Sequence, residues 1–240
     1  MSWHLGRLAG FDLETTSPDP EIARIVTACV VQCGGNQPVQ SGTWLSDVDG
    51  EEIPAEAAAI HGISTEQARV EGTDLYQVVD QLVGALTQVV LSGVPIVAMN
   101  ARYDFTVLDR EARRFDMTPL AEAVGKDLRV IDPFVIDKQA DRYRKGSRKL
   151  TALCEHYGVP IGDAHSADAD AIAACRVAWR LGSRFTRIGS MSLGELHAAQ
   201  VEWAAEQAAS LQEYFRKKDP SAYCAPEWPL VPAQRDGGAS

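Results

Sequence analysis

The order of segments predicts an α/β domain: a mixed sheet, with a three-strand antiparallel meander plus parallel strands, flanked by helices, and an extra C-terminal helix. Three observations lead there. Runs rich in β-branched residues follow one another near the N-terminus, separated by turn residues. From about residue 75 onward, helical stripes alternate with short apolar runs. A last, longer stripe follows once that alternation has ended.

Taken in order, residues 8–14 (LAGFDLE) form the first strand and residues 24–33 (RIVTACVVQC) the second. Gly34-Gly35-Asn36 turns the chain into a third strand over 39–45. Pro54 opens a short helix over 55–60, and Gly62 suits its stop. Ser64 caps another short helix. Apolar residues at 75, 78, 79, 82, 83, 86, 89 and 90 make a helix of 75–91. Residues 94–99 read as a buried strand, 100–115 as a helix and 129–131 as a further strand. Asp132-Pro133 then opens the next helix. Residues 149–157 form a helix ended by Gly158. Ser166 suits the N-cap of a helix running to about 184. Residues 192–217 form the last helix, with an apolar stripe from Val201 to Phe215 that suits packing on the domain better than a partner surface. Residues 219–240 carry four prolines and read as an irregular tail in which Trp228 and Leu230 can dock. The expected units are a domain of 1–185, a packed helix in 186–218 and a tail in 219–240.

Composition narrows the function classes. A chain of 240 residues with 45% apolar and 23% charged residues suits one globular domain with an appendage. A net charge of −10 argues against coating nucleic acid through bulk charge. The five cysteines are odd in number and lack CxxC spacing, so they read as reduced thiols of a cytoplasmic protein. The uncharged stretch 81–101 is broken by Ser92-Gly93-Val94-Pro95, which speaks against a membrane span.

The chemistry begins at Asp12 and Glu14. On a strand, residues two apart share a face, so these carboxylates stand side by side. Burying them together is costly without a positive charge, and a hard divalent cation is the usual solution. Taken alone, the pair also suits a solvated strand end. Asp104 follows a buried strand, where sites collect in open α/β sheets. His165 precedes, and Asp170 lies within, the first turns of another helix. Asp168, also there, suits favourable charge at a helix N-terminus. The run RYRKGSRK (142–149) holds five basic residues in eight, with Arg144, Lys145 and Arg148 central. It suits either a solvated face or contact with a phosphate backbone.

These motifs, FDLETT (11–16), HGIS (61–64), NARYD (100–104) and HSADAD (165–170), together resemble the DEDDh 3′–5′ exonucleases. That family includes the proofreading subunit of bacterial DNA polymerase III, ribonuclease T and oligoribonuclease. The resemblance covers about residues 8–181. It implies a ribonuclease H-like fold, two divalent metal ions (Mg²⁺ or Mn²⁺) and release of nucleoside 5′-monophosphates from a 3′ end. Carried over, Asp12 would bridge both ions, with Glu14 and Asp170 holding the one that binds the attacking water. Asp104 would assist the second ion and His165 would be the general base. Thr15 and Thr16 would contact the terminal nucleotide, and His61 and Tyr103 its base or sugar. His61 also suits a helix stop, and Tyr103 core packing. The family often has Gly after the two threonines and Phe before the third acid. Here those residues are Ser17 and Tyr103.

The substrate expected is nucleic acid with a free 3′ end, single-stranded DNA before the RNA trimmed by ribonuclease T or oligoribonuclease. A polymerase or repair partner, and a monomer or a homodimer, are both open. A catalytically silent nucleic-acid-binding scaffold is a less favoured reading. A haloacid-dehalogenase-type phosphatase expects Asp where Glu14 stands and leaves NARYD unexplained.

Overall fold

The computed structural model describes residues 2–160 and 167–233. Its strands are β1 (Arg7–Thr15), β2 (Ile25–Gly34), β3 (Gln40–Leu45), β4 (Ile96–Val97) and β5 (Val130–Ile131). They form one sheet in the order β3-β2-β1-β4-β5. The pairs β1–β2 and β2–β3 are antiparallel, whereas β1–β4 and β4–β5 are parallel. This is the mixed sheet expected, with the acidic strand at its centre.

The helices are α1 (Ala55–His61), α2 (Thr65–Glu71), α3 (Leu75–Leu91), α4 (Ala101–Arg114) and α5 (Leu120–Val124). They continue with α6 (Pro133–Ala140), α7 (Leu150–Tyr157), α8 (Ala167–Arg184), α9 (Thr186–Gly189) and α10 (Leu193–Arg216). The apolar stripe foreseen for α3 is the buried one: Leu75, Val78, Val79, Leu82, Leu86, Val89 and Val90. Ser64 and Ser192 cap α2 and α10 through their side chains, and Glu195 completes a capping box on α10.

The departures from expectation are local. Strand β4 is shorter than 94–99, because Pro95 has no N–H to donate and Asn100 turns into the left-handed region (φ 60°). That turn also delays α4 to Ala101. The five- and four-residue helices α5 and α9 carry too little periodicity to be foreseen.

Period 2 along β1 divides the core. Ala9, Phe11 and Leu13 face the layer that contains α3 and α4, where Phe11 meets Phe105 edge to face at 5.6 Å. Leu8 joins the opposite layer, with Ile136, Leu153 and Leu181 of α6, α7 and α8. Burying a side chain such as Phe11 stabilises the fold by about 1.5–3 kcal/mol. Strand β5 is a sheet edge, and Gln200 of α10 covers it. Gln200 Nε2 donates to the Val130 carbonyl at 2.9 Å, and the Asp132 N–H donates to Gln200 Oε1 at 2.7 Å. The tail docks as well. Trp228 is buried, and its indole N–H donates to Asp132 at 3.3 Å.

Candidate active site

The site forms where β1 ends. Asp12 and Glu14 lie on the face turned toward α8. Gly10, two residues earlier on the same face, lets that helix approach: a Cβ there would stand 2.4 Å from the Ala171 carbonyl oxygen. The next residue back along α8 is Asp170. Asp12, Glu14 and Asp170 thereby offer carboxylate oxygens all within 4.8 Å of one another.

Asp104 arrives from the other layer. The turn before α4 is clamped by Asp132, whose carboxylate accepts the N–H groups of Asn100 and Ala101, each at 3.0 Å. Asp104 is 4% exposed, and its Oδ1 accepts the Leu13 N–H at 3.1 Å, between the two acids of β1. Four carboxylates thus gather around one strand end.

Their electrostatics follow from crowding. Burial first, then the charges of Asp104, Glu14 and Asp170, pushes the Asp12 carboxyl well above the ordinary range. Burial and then Asp170 push Glu14 up to about 7. Burial also raises Asp104, against the N–H donors that favour its ionised form. Among the described residues no lysine or arginine forms an ion pair with Asp12, Glu14 or Asp104. A cluster of hard oxygen donors suits a divalent metal of the Mg²⁺ type, so the residues present fit the group expected.

Beside the carboxylates lies a cavity of about 690 Å³, bordered by Glu14, Thr15, Thr16, His61, Tyr103 and Ile22, among others. A register shift after Glu14 carries the pairing past Val26, so that Thr15 lies opposite Ile25. The Thr15 and Tyr103 hydroxyls are in hydrogen-bond contact, and Tyr103 donates to the Ser17 carbonyl. The two residues that depart from the family pattern are thus bonded to each other. The Thr16 hydroxyl accepts the Arg24 N–H at 2.9 Å, so it also braces the loop. His61 ends α1, accepts the Ile63 N–H at its Nδ1, and borders the cavities on both sides of Glu14. Burial lowers its pKa and favours the neutral ring.

The basic run divides. Arg144 and Arg148 turn inward and pair with fully buried Asp137, which also accepts the Tyr157 hydroxyl at 2.6 Å. Arg142, Lys145 and Lys149 are exposed. Neither half of the sequence reading covers the whole segment. His165 and Ser166 lie outside the described residues. Asp168 is exposed in the first turn of α8, apart from the metal-type cluster. Sequence reasoning missed Gly10 and the clamp role of Asp132. A glycine inside an apolar strand was the available signal, since it marks close backbone approach.

A family model described as Exonuclease (RNase_T) matches residues 9–178. Among solved structures, the chain resembles the zinc-bound form of E. coli exonuclease I in complex with single-stranded DNA. The TM-score is 0.61 at 21% identity, over 76% of this chain and 41% of that one. E. coli exonuclease I with a dT13 oligonucleotide gives 0.61 at 21%, over 76% and 42%. A product-bound exonuclease I gives 0.61 at 18%, over 86% and 48%. At these identities the likeness is one of fold, and the chain spans less than half the length of the proteins it matches. Comparison with curated proteins gives no match.

Proposed function

The chain belongs to the DEDDh 3′–5′ exonuclease family, and from that membership we propose that it removes nucleoside 5′-monophosphates from the 3′ end of single-stranded DNA. The observation that carries this is the convergence of Asp12, Glu14 and Asp170 within 4.8 Å, with Asp104 against the same strand. The single-stranded DNA bound to the exonuclease I structures supports the choice of substrate. We take residues 1–185 as the catalytic unit.

In this reading Asp12, Glu14, Asp104 and Asp170 would hold two divalent ions, Asp12 being the residue common to both sets, Glu14 and Asp170 belonging to the first and Asp104 to the second. Such ions, when bound, supply an acidified water and positive charge for the departing 3′ oxygen. His165 takes the proton of the attacking water. Water oxygen then bonds to phosphorus and the P–O3′ bond breaks; the departing O3′ takes a proton from solvent to become the new 3′-hydroxyl, and the phosphate leaves on the terminal nucleotide. Thr15, Thr16, His61 and Tyr103 border a cavity large enough for that nucleotide. Arg144 and Arg148, paired with Asp137, brace the basic segment, and exposed Lys145 is free to meet phosphate.

End-labelled DNA and RNA oligomers, blocked at either end, test the reading with Mg²⁺ and Mn²⁺. Single-stranded DNA should shorten from its free 3′ end, and a 3′ block should stop it. Asp12→Ala should remove most activity and stay folded. Full activity in that variant, or in excess chelator, defeats the assignment. His165→Ala should lose about 10²–10⁴-fold in turnover while binding metal and DNA almost as before. The ionisation near pH ~6.5 that a free histidine gives should vanish from its rate profile. Loss of a metal site on calorimetry, with that profile unchanged, makes His165 a ligand instead.

A further inference from the structure

The family model ends at residue 178, so α10 and the docked tail lie beyond it. Against α4 and α6 they enclose two cavities of about 300 and 210 Å³ that share Lys138, Gln207 and Leu211. Four cations border this space: Arg102, Lys138, Arg142 and Arg148.

The arginines further along α4, Arg110, Arg113 and Arg114, are all ion-paired, whereas Arg7 and exposed Arg69 bond only amide and carbonyl oxygens among the described residues. Arg148 is held by Asp137. Arg102, Lys138 and Arg142 make no ion pair among the described residues. Arg102 Nε is buried without a hydrogen-bond partner. The Lys138 ammonium is half-buried over the Phe134 ring at 4.9 Å. Burial, then Arg148 and Arg102, holds its pKa below the ordinary lysine value. The acids nearby offset this only in part. Asp132 is already taken by the N–H groups of Asn100, Ala101, Phe134 and Trp228. Glu227 favours the charged form of Arg102 without forming an ion pair with it, and Glu206 borders only the first cavity. Unpaired cations in a partly desolvated cleft favour an anionic ligand.

Topology says which anion is at hand. Strands β1, β4 and β5 are parallel, so their C-terminal ends emerge on one edge. Asp12 and Glu14 stand near the end of β1, Asp104 on the helix after β4, and Lys138 on the helix after β5. Two strand spacings of about 4.8 Å put the end of β5 roughly 10 Å along that edge from β1, and the cleft starts there at Asn100 and Asp132. A strand with about 3.4 Å or more between phosphates covers this in a few nucleotides. Tyr214 and Leu211 of α10, both exposed, border the first cavity and offer a surface on which a base can lie.

We propose that this cleft holds the phosphodiester backbone of the substrate strand on the 5′ side of the terminal nucleotide, with Arg102, Lys138 and Arg142 meeting phosphates. The proposal rests on the exonuclease reading of the neighbouring carboxylates. It gives the C-terminal helix a part in binding that the family domain does not carry.

Fluorescent oligothymidylates of two and twelve nucleotides test it by anisotropy in an Asp12→Ala background. The double variant Lys138→Gln, Arg142→Gln should weaken the twelve-mer about tenfold. It should also flatten the salt dependence by about 0.7 per cation removed. Binding of the dinucleotide, which ends short of the cleft, should fall much less than that of the twelve-mer. Lys138→Arg should keep the affinity that Lys138→Gln loses, which separates charge from a packing defect. Unchanged affinity and salt slope for the twelve-mer overturn the proposal, as does equal weakening of both oligomers. Loss of thymidine monophosphate binding with the twelve-mer unaffected overturns it too, and makes the cleft a free-nucleotide pocket. If the wild type releases no nucleotide while the length contrast persists, the cleft stands and the exonuclease reading falls.

Discussion

At Gly10 the helix carrying Asp170 rests on the backbone of the strand carrying Asp12 and Glu14. A methyl group there would meet Ala171 carbonyl oxygen at 2.4 Å, and both partners are main chain. Gly10→Ala should therefore push α8 outward, lower stability by about 1–3 kcal/mol and widen the carboxylate cluster. Metal affinity should fall more than in a control such as Gly84→Ala, where the added carbon meets nothing within 4 Å. Calorimetric titration with Mn²⁺ checks this; equal affinity in the two variants contradicts it. Glu14 gives a second prediction. In the metal-free protein its carboxyl is raised from the ordinary 4.5 to about 7. The unfolded chain releases that proton near 4.5 and the folded one near 7, so the folded state holds more protons between them. Its contribution to stability is intact below about 4.5 and is lost as pH rises to about 7. In chelator, the melting temperature of Glu14→Gln minus that of the wild type should therefore increase over this window. Saturating Mg²⁺ should reverse the trend above pH 7. A difference that falls with pH in chelator contradicts the raised carboxyl.

The connection between α6 and α7 is ordered from inside. Asp137 is fully buried at the end of α6 and accepts from Arg144, Arg148 and the Tyr157 hydroxyl. The pairs fix the loop that displays Arg142 and Lys145. Removing one member of a buried pair leaves the rest uncompensated, at about 3–5 kcal/mol. Asp137→Ala should cost that much in urea unfolding. It should also weaken oligonucleotide binding without altering Mn²⁺ affinity. A loss below about 1 kcal/mol would mean that both arginines find other partners.

For the molecule as a whole, the C-terminal segment closes the sheet. Gln200 occupies the open edge of β5, Leu196 is fully buried, and Trp228 donates to the carboxylate that clamps the turn before α4. A chain ended after residue 191 should lose these contacts together. Its unfolding midpoint should fall, and turnover of a dinucleotide should fall with it as the Asp132 clamp loosens. A truncated chain as stable and as active as the full one would make α10 dispensable to the catalytic edge.

What the sequence determined by itself is what short-range geometry dictates. The β1–β3 meander, the α3 stripe and the helix starts at Ser64, Asp132 and Ser192 follow from periods and capping residues over a few positions. So does the shared face of Asp12 and Glu14. Ordered motifs placed Asp104 and Asp170 in the same site, and for His165 they remain the whole argument. Tertiary structure alone decided the rest. Nothing in RYRKGSRK tells a solvated arginine from one drawn inward, because the answer lies in Asp137, outside that run. Nothing near Asp170 says how close it comes to Asp12, because the distance is set by a missing side chain at Gly10, some 160 residues away. The coupling of Tyr103 to Ser17 spans 86 residues. Local periodicity is written in the chain because it acts between near neighbours. Distance across a packed interface is not, since it depends on every side chain that fills or leaves empty the space between.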